Sequence, residues 1–306
     1  VSKKIKVKKR GNELGFQIFM ISVRLFGLRG AYGLLYIVCT YYLLFDRAAV
    51  KGALAYIEKR FKEEGFFKQY WRVYLLFVSQ GKALIDRYAI ASGHEGFTMR
   101  LKGFDSVKEI VNQSKKGCIF LTSHVGNWQV ALSCLKELNK NIYLVMRPED
   151  NVAVKKSLRI DSEEEKKVRI ISPEEDFGGI IKMTEKINSG DVVSIMGDRR
   201  YGFPALDVDY LGEKAGFPFG AFLIAASLEC PIIVLLTAKL SHKEYLIDFN
   251  NVIRPKYDGK KEKRQQLKKY VQEYATILNN YAESYPYQVF LFADVWTEVS
   301  HNKIIL

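Results

Sequence analysis

Apolar and polar positions divide the chain into three stretches of different rhythm. Residues 14–45 are apolar almost throughout, interrupted by Arg24 and Arg29. The charge-free part, Gly30 to Phe45, is about 24 Å long as a helix against a ~30 Å hydrocarbon core, so it is slightly short for a span. Residues 46–90 carry apolar positions at three- and four-residue spacing and predict two helices broken at Gly65. From about Gly103 short apolar runs alternate with helical stretches: CIFLTSH, WQVALSCLKEL, NIYLVMRP, VRIIS, GGIIKMTEKINSG, DVVSIMGDRR, FPFGAFLIAASLE, CPIIVLLTAK and EYLIDF. That alternation predicts an α/β fold with a central, mostly parallel sheet flanked by helices. A last amphipathic stretch, KEKRQQLKKYVQEYATILNNYAES, predicts a long surface helix before YPYQVFLFADVW. No repeat or proline-rich linker divides the chain. The expected organisation is a basic and apolar membrane-associated segment over 1–50 and one α/β domain over 51–306 with a helical lead-in.

Charge sharpens the picture at the N-terminus. The chain carries 47 Lys plus Arg against 34 Asp plus Glu, a net charge of +13, and six of its first ten residues are basic. Such a cluster suits anionic lipid. Arg24 and Arg29 can snorkel toward headgroups while Tyr32, Tyr36, Tyr41 and Tyr42 favour the interface, so the expectation is a helix lying in or dipping into one leaflet. A buried core helix is the competing reading. A secretory signal fits less well, because arginines break the apolar region and no A-x-A-like cleavage site follows. Charge runs at 155–169 and 256–269 read as solvated faces or as a polyanion-facing surface. No helix-turn-helix, zinc finger or RNP aromatic motif is present, so nucleic acid is not an expected partner. Four scattered cysteines without a Cys-x-x-Cys pair fit a reduced, cytosol-facing protein, and four scattered histidines lack zinc spacing, so no metal or other cofactor is expected.

Candidate chemistry concentrates at two strand ends. In CIFLTSHVGNWQVA a buried strand, Cys118 to Thr122, delivers His124 to its carboxyl end, where open parallel sheets bind ligands. In DVVSIMGDRRYG the strand Val192 to Met196 delivers Asp198, Arg199 and Arg200 to the same kind of edge. If the strands lie close, His124 and Asp198 form the pair used in acyl transfer, in which imidazole takes a hydroxyl proton and carboxylate fixes its tautomer. Ser123 points to the opposite face from His124, so no covalent acyl-enzyme is expected. Arg147, Arg199 and Arg200 are candidates for gripping donor phosphate or a developing oxyanion. An apolar acyl channel beside His124 is expected along residues 218–228, where Gly220, Ala221, Ala225 and Ala226 are small.

SHVGNWQ resembles the His-x4-acid signature of the glycerolipid acyltransferases. Its His-Val-Gly-Asn-Trp form is similar to the branch that contains the lipid A late acyltransferases and the phosphatidylinositol mannoside acyltransferase. VMRPED at 145–150 is similar to that family's Tyr-Arg-Pro block, residues 210–235 to its apolar loop, helix and Pro-initiated strand, and YPYQVF at 285–290 to its closing Pro-x-Gln segment. The resemblance, over roughly residues 15–295, implies transfer of a fatty acyl chain from a thioester, acyl carrier protein or acyl-CoA, to a hydroxyl of a lipid or glycolipid at the cytoplasmic face of the inner membrane, by peripheral or single-anchor attachment. It implies His124 as general base, with Asn127, Trp128, Arg147, Arg199 and Arg200 as substrate contacts. The chain departs from the pattern at Gln129, where the family has an acid. Either Asp198 supplies the missing charge, or the chain is a non-catalytic lipid-binding relic of the same fold.

Overall fold

The computed structural model describes residues 13–146, 168–174, 176–200, 203–258 and 262–296. Helix α1 covers Glu13–Phe45 but is two helices merged at a break, Gly27, whose φ of 65° and ψ of −173° are not helical. Each half, about 20–27 Å long, falls short of a ~30 Å hydrocarbon core. Helix α2 (Arg47–Arg60) starts at Asp46, whose side chain accepts from the Ala49 N–H, and ends on Lys59 and Arg60, complementing both ends of its dipole. Helix α3 (Phe66–Ala91) completes the lead-in, with Gly65 just before its first residue.

The sheet is built from β1 (Thr98–Lys102), β2 (Cys118–Thr122), β3 (Ile142–Val145), β4 (Val168–Ile171), β5 (Val192–Met196), β8 (Ile232–Lys239) and β9 (Glu244–Ile253). Its order is β1-β9-β8-β2-β5-β3-β4. From β8 to β4 all neighbours are parallel; β9 runs antiparallel to β8, and β1 runs with β9. Every residue of β2 is buried, as a central strand covered on both faces must be, whereas the edge strand β1 alternates exposed and half-buried and carries Arg100 and Lys102.

Alternate residues of the central strands enter two cores. Ile119, Leu121, Val193 and Val234 join α1–α3, α6 (Ile180–Asn188), α7 (Gly220–Leu228) and α8 (Lys263–Ser284) on one face. Cys118, Phe120, Val192 and Ile233 join α4 (Phe104–Gln113) and α5 (Trp128–Leu135) on the other. Val23, Leu28, Ala31 and Leu35 of α1 belong to the first core together with Ala53 of α2 and Leu76 of α3, so packing runs across the boundary expected near residue 50. Asp86 of α3, fully buried, draws Tyr32 of α1, Lys239 of β8 and Tyr245 of β9 onto one carboxylate.

The segment after β5 holds an element the sequence pattern did not announce. Strands β6 (Ala205–Tyr210) and β7 (Glu213–Pro218) form a separate antiparallel hairpin. Its two-residue turn, Leu211 and Gly212, has φ of 51° and 77°, the mirror-image turn that suits strand twist but strains a leucine.

Candidate active site

Strands β2 and β5 are parallel neighbours, in register from Cys118 opposite Val192 to Thr122 opposite Met196. Both end at the same edge, and two residues further His124 meets Asp198. His124 Nδ1 lies 2.9 Å from Asp198 Oδ1 and 3.1 Å from Oδ2, and the His124 backbone N–H donates to Oδ2 at 2.8 Å. A carboxylate only accepts, so Nδ1 carries the hydrogen and Nε2 is the basic nitrogen. The His124 side chain is 21% exposed and that of Asp198 5%. Burial pushes the Asp198 carboxyl up, but the imidazole charge, the N–H donors of His124 and the Arg199 guanidinium outweigh it and hold it below the usual carboxylate range.

The loop that presents His124 is clamped from several sides. Gly126 has φ 54°, and a Cβ there would lie 1.8 Å from the Thr237 carbonyl oxygen, so only glycine fits. The Gly126 N–H donates to Gln288 O at 2.8 Å, and the Phe290 N–H donates to His124 O at 2.7 Å. The Gln288 side chain accepts from Lys239 N at 2.7 Å and donates to Lys239 O at 2.9 Å. Asn127 does not line the cavity at His124: its N–H donates to Thr237 Oγ1 and its Nδ2 to Ala83 O, stitching the loop to β8 and α3. Gln288 and Phe290 were not among the sequence candidates for the site. Their only signal was the YPYQVF segment, which carries no chemistry until it folds back beside residue 124.

A cavity of about 330 Å³ opens at His124, lined by Trp128, Arg199, Phe203, Phe219 and Ile224 among others. Gly220 and Ala221 line it too, and a Cβ on Gly220 would meet nothing within 4 Å. Ala225 and Ala226 pack in the core and are not part of its wall, which corrects the expectation that all four small residues leave room there. Arg199 donates from Nη2 to Phe290 O at 2.7 Å. Arg200 does not line the cavity: it donates from Nε to Gly216 O at 3.2 Å and lies 3.3 Å from Asp207, which ties it to the β6–β7 hairpin. Ser123 is buried and does not line the cavity. Arg147 lies outside the described residues.

Gln129 is buried, and its Oε1 accepts from Arg87 Nη1 of α3. The acid position of the motif thus serves α3, and the carboxylate beside the imidazole is Asp198. Arg87 was not singled out from the sequence, since an arginine inside a helical pattern reads as a surface residue. Burial lowers its pKa to about 10.

No curated protein matches the sequence. Among solved structures, the 1-acyl-sn-glycerophosphate (LPA) acyltransferase PlsC from Thermotoga maritima is similar with a TM-score of 0.34 and 11% identity, over 80% of this chain and 95% of that one. A family model described as bacterial lipid A biosynthesis acyltransferase matches residues 83–297, a span that includes both members of the pair, the hairpin and the clamp at 288–290. With most of its length matched, the chain belongs to the bacterial lipid A biosynthesis acyltransferase family and is an acyltransferase.

Proposed function

We propose that this acyltransferase moves a fatty acyl chain from a thioester, acyl carrier protein or coenzyme A, to a hydroxyl of a lipid or glycolipid at the cytoplasmic face of the inner membrane. The observation that carries this is the 2.9 Å contact between His124 Nδ1 and Asp198 at the mouth of an apolar cavity. His124 Nε2 takes the proton of the acceptor hydroxyl as its oxygen attacks the thioester carbonyl carbon, and Asp198 stabilises the imidazolium. The tetrahedral intermediate collapses, the C–S bond breaks, and the departing sulfur receives the proton from the imidazolium, leaving an ester and a thiol. Arg199, at the cavity wall, is placed to face the developing oxyanion or the donor. The acyl chain occupies the cavity beside Gly220 and Ala221, where an apolar wall keeps it dry.

Attachment to the membrane is proposed through α1. It is the one helix among the described residues long and apolar enough to cross, and only 33% of its apolar window is buried by protein. Leu25, Phe26, Ile37, Leu44 and Phe45 are exposed along it. With the Gly27 break, two short halves lying in one leaflet fit better than a single span.

The deciding experiment supplies acylated acyl carrier protein or acyl-CoA, radiolabelled in the acyl chain, with total bacterial lipid and identifies labelled products by mass spectrometry. Labelled lipid ester with release of free thiol is expected. Lipid retained by the protein with no thioester consumed would instead favour a binding protein, the reading that Gln129 first raised.

A further inference from the structure

Beside the base, β8 outruns its neighbour. Strand β2 pairs with it from Ile119 opposite Ile232 to Leu121 opposite Val234, whereas β8 runs on to Lys239. Past that point the peptide groups on the edge away from β9 need other partners. At Lys239 the side chain of Gln288 supplies them: its oxygen accepts from the Lys239 N–H at 2.7 Å, and its amide N–H donates to Lys239 O at 2.9 Å. A primary amide offers the same donor and acceptor as a peptide, so this side chain continues the ladder where the neighbouring strand has ended.

The segment that carries Gln288 leaves α8 after Ser284 and is held from two directions. On the outer side, Tyr56 OH of α2 donates to Pro286 O at 2.9 Å, and Arg72 of α3, which also donates to Glu64, donates to the Tyr287 hydroxyl. On the inner side the segment meets the loop of the base. Gln288 O accepts from the Gly126 N–H, Val289 forms an antiparallel bridge with Val125, and the Phe290 N–H donates to His124 O. Phe290 O in turn accepts from Arg199, the neighbour of Asp198. The two backbone groups of Phe290 therefore tie together the strand ends that carry the imidazole and the carboxylate. With its N–H on Asp198 and its C=O on Phe290, His124 is anchored through both of its own backbone groups. A shift of the segment would move the imidazole against Asp198, and because Gln288 does not line the cavity, the wall that meets substrate would stay in place.

We infer that Gln288 is a positioning residue for the base: by closing the ladder at Lys239 it sets where the Phe290 N–H stands, and through it holds His124 Nδ1 against Asp198. This role rests on the acyl-transfer reading. It also extends the site to the helical lead-in, since α2 and α3 support the same segment from its outer side.

Steady-state kinetics of thioester consumption, run beside NMR of the full-length protein labelled with 15N-histidine, tests the role. Gln288→Met keeps the length of the side chain and removes both bonds to Lys239. It should lower kcat by about 10–10²-fold, the cost of misplacing a reacting group by about an ångström, with KM for the acyl thioester within about twofold of the parent. The proton on His124 Nδ1, identified by its loss in His124→Gln, should move upfield in Gln288→Met as its bond to Asp198 loosens. Tyr56→Phe removes only a hydroxyl at the outer end of the segment and should change kcat and the proton in the same sense, by about two- to fivefold in kcat. Val111→Ala, in the core under α4, costs stability without touching the segment and should leave both readings unchanged. A Gln288→Met protein with kcat within about twofold of the parent, a loss carried by KM, or an unmoved Nδ1 proton would overturn the role. If Gln288→Met does not fold, Tyr56→Phe decides by the same readings. The NMR reading needs no turnover: a parent that consumes no thioester would fail the acyl-transfer reading, and the Nδ1 proton would still decide whether Gln288 holds the imidazole.

Discussion

His124 and Asp198, 74 residues apart, meet because β2 and β5 hold one constant register from their first residues to the sheet edge. The same offset that pairs Cys118 with Val192 pairs the imidazole with the carboxylate two residues past Thr122 and Met196. The geometry is therefore a property of the buried sheet, and the loops have only to hold it.

If Asp198 supplies the charge, Asp198→Asn should lower turnover by about 10²–10⁴-fold, since an amide can fix the wrong tautomer and cannot stabilise the imidazolium. Gln129→Glu should leave the His124 pair intact, because its partner is Arg87. Initial rates of acyl transfer for parent and both variants decide the matter, and a fully active Asp198→Asn protein would remove Asp198 from the mechanism.

The lowered pKa of Asp198 also sets a pH dependence of stability. A carboxyl whose folded pKa lies below its unfolded value of about 3.9 stabilises the fold at pH above that value, and the contribution is lost as pH falls through the folded pKa. Melting temperatures of parent and Asp198→Asn should accordingly differ more at pH 6 than at the acid end of the folded range. A gap that widens on acidification would contradict the sign.

Gly126→Ala should unseat the His124 loop. The new Cβ would overlap the Thr237 carbonyl at a positive φ, and about 3 kcal/mol or more of destabilisation is expected from strain and overlap together. Denaturant unfolding of the variant measures it; a loss under ~0.5 kcal/mol would mean the loop relaxes freely.

Gly220→Leu should narrow the cavity at His124, because the added side chain starts in open space. Excluding two methylenes of a long chain costs about 1.6 kcal/mol, so preference for the longest donor should fall about tenfold relative to a shorter one. A competition assay with mixed chain lengths reads this ratio, and Ala225→Ser, outside the cavity wall, is the control.

Asp86→Ala should cost about 3–5 kcal/mol, because Lys239 would be left buried without its carboxylate and the Tyr32 and Tyr245 hydroxyls would lose their acceptor. Thermal unfolding checks the size, and protease accessibility of α1 checks whether that helix detaches first.

Local pattern carried much of this protein. The largely apolar runs Cys118–Thr122 and Val192–Met196, each with a single hydroxyl residue, are best satisfied by burial on both faces, so the sheet and the strand-end positions of His124 and Asp198 were legible from residue order alone. The His-Val-Gly-Asn-Trp motif made the family legible. Partnership across the sheet was not, because which strands become neighbours depends on chain crossovers, and sequence spacing does not record it. The same limit hid the turn of Arg200 toward Gly216, the Gln129–Arg87 contact and the return of Gln288 to β8, each made by residues tens to scores of positions apart. Nor could composition choose which small residues of 220–226 line a cavity: a helix distributes them around its axis, and only the packing of α7 against the sheet decided that Gly220 and Ala221 face the base while Ala225 is sealed in the core.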